Sequence, residues 1–157
     1  MDRESYEKGC ASLQAEDYRA AKREFVEALK SIDDHHELYG RVASYLGLAQ
    51  VLTSDRSGLL LCRDAASSDA GEADVYLNLA CAEWHANNRK RALEAVHRGR
   101  EIAADNPQLE YASTLIDSRR RNILPFLSRE HLLNRTLGRM LRKDRGELTV
   151  HMVLYCH

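Results

Sequence analysis

The stretch SYEKGCASLQAEDYRAAKREFVEALK, residues 5–30, decides how this chain is read. Gly9 is followed twelve positions later by Ala21, four further on by Phe25, and three beyond that by Ala28. Spacings of four and seven place residues on one helical face, whereas twelve carries the chain round a turn into a second, antiparallel helix. The spacing returns at Ala80, Ala92, Val96 and Gly99, and a degraded copy, Gly47, Leu59, Arg63 and Ala66, lies between. Tiny residues at these positions let two helix backbones approach closely. The copies start 38 and 33 residues apart, inside the window that marks a helical repeat array. Arrays of this kind present a surface to another chain, and the spacing does not say which.

The residues resemble the tetratricopeptide repeat family. Ser5-Tyr6-Glu7-Lys8-Gly9, Asp17-Tyr18-Arg19-Ala20-Ala21 and Phe25-Val26-Glu27-Ala28-Leu29 look like one nearly complete repeat, and Leu77-Asn78-Leu79-Ala80, Ala92-Leu93 and Asp105-Asn106-Pro107 like another. In the middle copy Leu46-Gly47-Leu48-Ala49 fits, but Leu59 stands where the family prefers alanine and Arg63 where it prefers an aromatic. The resemblance implies an all-α fold, a helical-hairpin solenoid of about three repeats over residues 1–107. Two C-terminal helices, basic in character, are expected over 108–145, with a tail of unassigned structure at 146–157.

The 157 residues suffice for a real core, and 44% hydrophobic with 30% charged is ordinary for a globular domain. No apolar run approaches membrane-spanning length. Met1-Asp2-Arg3-Glu4-Ser5 carries charge and no apolar segment, which argues against a secretory signal. Cysteines at 10, 62, 81 and 156 are scattered, three within helical patterns, so reduced thiols and a cytoplasmic location are expected.

Eight helices are predicted. The first covers about 2–14, and the second starts near Asp17 with Phe25, Ala28, Leu29 and Ile32 as its buried stripe. The third holds Leu38, Val42, Leu46, Ala49 and Leu52; Thr53-Ser54-Asp55 caps the fourth, which fades at 67–71. The fifth covers about 73–86, Asn87-Asn88 turns it into the sixth, and Pro107 opens the seventh, which ends before Pro125. An eighth, after Ser128, would carry Leu132, Leu133, Leu137, Met140 and Leu141 on one face and cap the stack or fold back into its groove.

In the resembled family the first helix of each repeat lines a concave wall. The positions concerned here are Tyr6, Cys10, Leu13 and Gln14; Arg41, Ser44, Leu48, Val51 and Leu52; Asp74, Leu77, Cys81, Trp84 and His85. Such a groove, apolar at its centre and polar at its edge, suits an amphipathic helix or an extended apolar peptide, and the same residues could instead simply pack between repeats. The clamp with which some family members grip chaperone tails needs a lysine and two asparagines where this chain has Tyr6, Cys10 and Arg41, so that specificity is not expected.

Charge is unevenly spread. Residues 1–118 hold 14 Lys+Arg and 21 Asp+Glu, whereas 119–145 hold nine basic residues and two acidic ones. This asymmetry supports a second reading of function: binding of nucleic acid or an anionic membrane through the basic amphipathic helix, with Arg135, Arg139 and Arg142 as its surface. Low aromatic content, 6%, argues against nucleic acid. Cys81 and His85 are four apart, but zinc usually takes four such ligands and the other close pair, Cys156-His157, lies in the unassigned tail; no phosphate-cradling loop or activated nucleophile is found. No enzymatic activity, metal or cofactor is expected, a protein or peptide partner is, and self-association is left open.

Overall fold

The computed structural model describes residues 3–68 and 71–116, and within them the chain forms seven α-helices and no strand. These are α1 (Arg3–Gln14), α2 (Tyr18–Lys30), α3 (Tyr39–Leu52), α4 (Ser57–Ser67), α5 (Ala73–His85), α6 (Arg89–Ile102) and α7 (Pro107–Ile116). α1 packs on α2, α3 on α4 and α5 on α6, giving three hairpins; α2 then packs on α3, α3 and α4 on α5, and α7 on α6. Among the described residues no helix is long and apolar enough to cross a membrane. The expected eighth helix and the tail lie outside the described residues.

The three hairpins turn in the same way. Glu16, Ser54 and Asn87 each adopt a left-handed φ of 58°, 66° and 62°, and each stands seven residues after the small residue that opens its copy. The backbone bonds match too: Asp17 N donates to Ser12 O, Asp55 N to Gln50 O and Asn88 N to Glu83 O. This is the bond pattern by which a left-handed residue closes a helix and consumes its orphan carbonyls. Side chains beside the first two turns then satisfy backbone donors of the next helix. The Asp17 carboxylate accepts from Ala20 N at 2.9 Å, and the Asp55 carboxylate accepts from Ser57 N at 3.1 Å. At α7, Asn106 Oδ1 accepts from the backbone N–H groups of Gln108 and Leu109, and Pro107 fills the first turn, where its missing donor costs nothing.

Tiny residues stand where a facing side chain or helix backbone leaves no room for a Cβ. A Cβ at Gly9 would lie 2.6 Å from the Phe25 ring, and one at Gly99 would lie 2.9 Å from Leu109. Ala21, Phe25, Ala28, Ala92, Val96 and Gly99, the residues picked out by the spacing, are all buried. In the second hairpin the register differs from the expected one. The buried residues of α4 are Gly58, Cys62, Ala65 and Ala66: Gly58 and Cys62 each lie one place earlier than the twelve-residue spacing predicts, while Ala66 is buried as expected, beside Ala65. Gly58 faces the backbone of Gly47 so closely that a Cβ on either would press into the other helix. Leu59 and Arg63 are consequently turned to the partly exposed flank.

An aromatic cluster joins the first two hairpins. Phe25 stacks on Tyr45 with centroids 5.6 Å apart, and Tyr6 meets Tyr45 edge-on at 5.8 Å, pairings that add about 0.5–1.5 kcal/mol each beyond the area they bury.

Candidate functional site

α1, α3 and α5 run in the same direction, because a hairpin separates each from the next. The bonds between α3 and α5 keep them in register: Arg41 donates to Asp74 at 2.6 Å, and one turn on, Asn78 Nδ2 donates to Ser44 Oγ at 2.9 Å. The edge formed by their N-terminal ends is therefore a charged one. Arg41 also lies 3.3 Å from a Glu72 carboxylate oxygen, and Tyr6 of α1 is near enough to act on its charge. Burial works against ionisation of Arg41, but Tyr6, Asp74 and Glu72 more than offset it and hold the guanidinium above its ordinary pKa. Glu72 is raised, by its own burial first; Arg41 opposes that, while Asp74 and Glu37 add to it.

The residues expected to line a groove divide into two groups. Tyr6, Arg41, Val51, Leu52, Asp74 and Trp84 are half-buried, and Gln14 and His85 are exposed. Cys10, Leu13, Leu48, Leu77 and Cys81, however, belong to the hydrophobic core, with at most 4% of their surface open, and Ser44 is wholly buried. A side chain so covered cannot meet a partner unless the face opens, so these six serve as floor and not as contact surface. The thiols are correspondingly inert. Burial pushes Cys81 up to about 12, and it raises Cys62 as well, with Cys81 and Glu83 adding to the effect.

The accessible part of the face runs from the Arg41 edge to the C-terminal ends of α3 and α5, where Leu52 and Trp84 are half-buried against the core. An apolar strip with a charged edge can hold a helix or extended segment by area and fix its direction by charge. A cleft of about 630 Å³ between α2 and the α3–α4 turn holds the Lys22–Asp55 pair at 2.8 Å. Three basic residues, Arg19, Lys22 and Arg23, and three acidic ones, Glu24, Glu27 and Asp55, line it, so it offers no field of one sign. Arg135, Arg139 and Arg142 lie outside the described residues.

Sequence reasoning missed two charged groups. Glu83, 2% exposed, accepts from Arg63 at 2.7 and 3.1 Å and from Asn88 Nδ2 at 2.7 Å, tying α4, α5 and the α5–α6 turn together. Arg63 thus leaves the aromatic position of the repeat pattern to neutralise a buried carboxylate. The other is Glu72, the second acid on Arg41. A usable signal was present for one pair alone: Arg41 and Asp74 are 33 apart, the offset between the second and third copies, whereas nothing in the spacing marks Glu72 or Glu83. No known family model matches the chain. No curated protein matches it either.

Proposed function

We propose that this protein is a non-enzymatic interaction adaptor, a scaffold that binds a partner peptide or helix on the face shared by α1, α3 and α5. The reading includes a tetratricopeptide-like solenoid of about three repeats and a cytoplasmic setting. What carries it is the repetition of one turn, with the same left-handed residue and the same closing bond, in all three described hairpins. Stacked hairpins put equivalent helices side by side, and so make a continuous face from repeated units. Half-buried Trp84 and Leu52 supply the apolar anchors that such a face needs.

Leu48 and Leu77 support the surface from below and are poor probes of binding, since changing them disturbs the core. The test is capture from the native lysate by wild-type and Trp84→Ala protein, at low and at high salt. Capture that survives high salt and is lost with Trp84 is the expected result; capture unaffected by Trp84→Ala refutes the assignment of the face. Binding of anionic vesicles or nucleic acid that collapses with salt and with Arg135→Glu, Arg139→Glu and Arg142→Glu together would favour the second reading.

A further inference from the structure

α4 and α6 both pack on α5, and a cleft of about 370 Å³ lies between them, lined by all three helices. Each helix turns one stripe to it. Arg91, Glu94 and Arg98 recur at three and four residues along α6, while Arg63 and Ser67 are four apart on α4 and Leu79 and Glu83 four apart on α5. The charges are on the α6 wall, and half-buried Leu79 is the largest apolar side chain in the lining.

These charges do not cancel. Glu83, 2% exposed, is already held by Arg63 at 2.7 and 3.1 Å and by Asn88 at 2.7 Å. That leaves exposed Glu94 against two exposed guanidinia, Arg91 and Arg98, and among the described residues neither of these makes an ion pair. α6 as a whole carries five basic residues and two acidic ones, opposite in sign to the 14 basic and 21 acidic of residues 1–118. A positive wall in a cleft draws in a ligand of the other sign. Among the described residues no aromatic side chain lines the cleft, so it lacks the stacking platform on which single-stranded nucleic acid is bound.

Size decides the form of that ligand. The volume takes a few side chains but not a helix, which is about 10–12 Å across. Arg91 and Arg98 stand seven residues, hence about 10 Å, apart along α6. In an extended chain the side chains on one side recur about every 6.6 Å, so two acids flanking an apolar residue on that side are about 13 Å apart, within reach of two long arginine side chains. We propose that the cleft between α4 and α6 is a second docking site, which takes an extended acidic segment of a partner protein, an acid on each of Arg91 and Arg98 and the apolar side chain between them on Leu79. It does not depend on the face of α1, α3 and α5, and either surface can fail without the other.

The probe is a fluorescein-labelled peptide, Gly-Glu-Ser-Leu-Ser-Glu-Gly, titrated with the full chain and followed by fluorescence anisotropy at physiological ionic strength. Arg91→Glu with Arg98→Glu should weaken its binding at least about tenfold. Lys90→Glu with Arg100→Glu makes the same change of charge on the same helix at exposed residues outside the cleft, and should shift the affinity by no more than about twofold, because distant charges are screened. Replacing the leucine of the peptide with serine should cost at least about threefold, as the contact with Leu79 is lost. Failure of the wild type to bind the peptide overturns the proposal, as does equal weakening by the two charge-reversed pairs, which marks a general attraction to the basic helix. Each variant is checked by circular dichroism and melting. Should the Arg91 and Arg98 variant not fold, Ser67→Glu keeps every arginine and sets a carboxylate on the α4 wall; it should weaken the peptide several-fold, and unchanged affinity overturns the proposal. A single-stranded oligonucleotide that displaces the peptide at lower concentration than unlabelled peptide does would assign the cleft to phosphate and overturn it too.

Discussion

Arg41 of α3 and Asp74 of α5 stand one repeat apart in sequence and meet at 2.6 Å, with Glu72 on the other side of the same guanidinium. The pair does two things at once: it locks two neighbouring hairpins in register and sets the sign of charge at the edge of the shared face. Removing Arg41 strands two partly buried acids against each other. Arg41→Ala is expected to cost about 1.5–3 kcal/mol, the range for charge-assisted hydrogen bonds. In a double-mutant cycle measured by urea unfolding, Arg41→Ala with Asp74→Ala should cost less than the two single changes summed.

Gly58 tests the register of α4. Its Cβ-free backbone lies against Gly47, and since both partners are backbone neither can yield by changing rotamer. Gly58→Ala should destabilise by about 1–3 kcal/mol through overpacking, whereas Leu59→Ala, at a half-buried flank, should cost less. Thermal melts of the two variants decide between this register and the one that the twelve-residue spacing predicts, in which Leu59 would be the more sensitive.

Ser54 closes the second hairpin with a φ of 66°, a conformation that burdens a residue with a side chain by about 1–2 kcal/mol. Ser54→Gly relieves the strain but gives the unfolded chain more freedom, so a net gain of about 0.5–1 kcal/mol is expected. Asn87, at the equivalent turn, tolerates this conformation better, and Asn87→Gly should gain less in the same denaturation experiment.

Asp55 makes stability depend on acid. A hydrogen bond from Lys22, then two from Ser57, holds its carboxyl at about 2, below its ordinary value of 3.8. A carboxyl whose pKa is lowered on folding stabilises the fold above the unfolded value and loses that contribution as pH falls toward the folded one. Stability should therefore decline between about pH 4 and pH 2, and Asp55→Asn should flatten that part of the curve. Lys22→Met should flatten it in part, since Ser57 remains. Denaturant midpoints taken across this window are the measurement.

Much of the fold was legible because the small residues of the first and third hairpins recur at fixed spacing, where a facing side chain leaves no room for a Cβ. Gly9 against Phe25 and Gly99 against Leu109 are the physical content of that pattern. In the second hairpin the spacing marks Ala66 correctly but falls one residue late at Leu59 and Arg63, because Gly58 and Cys62 sit beside those positions and nothing in the period distinguishes them. Burial depth was not legible at all. Leu48 and Leu52 occupy the same helical face and are equally apolar, yet one is core and the other half-open. Glu83 was hidden for a different reason: a buried carboxylate depends on partners, Arg63 and Asn88, that only the packing of α4 on α5 and the α5–α6 turn brings to it.

The half-buried strip at Leu52 and Trp84 is the surface proposed to bind another chain. It is tested most directly by measuring the affinity of the captured partner for wild-type protein and for Trp84→Ala with Leu52→Asp, each checked for an unaltered melting curve. Loss of two anchors from such a surface should weaken binding at least about tenfold at both low and high salt. Equal affinity in a folded double variant would mean that the partner binds elsewhere on the protein.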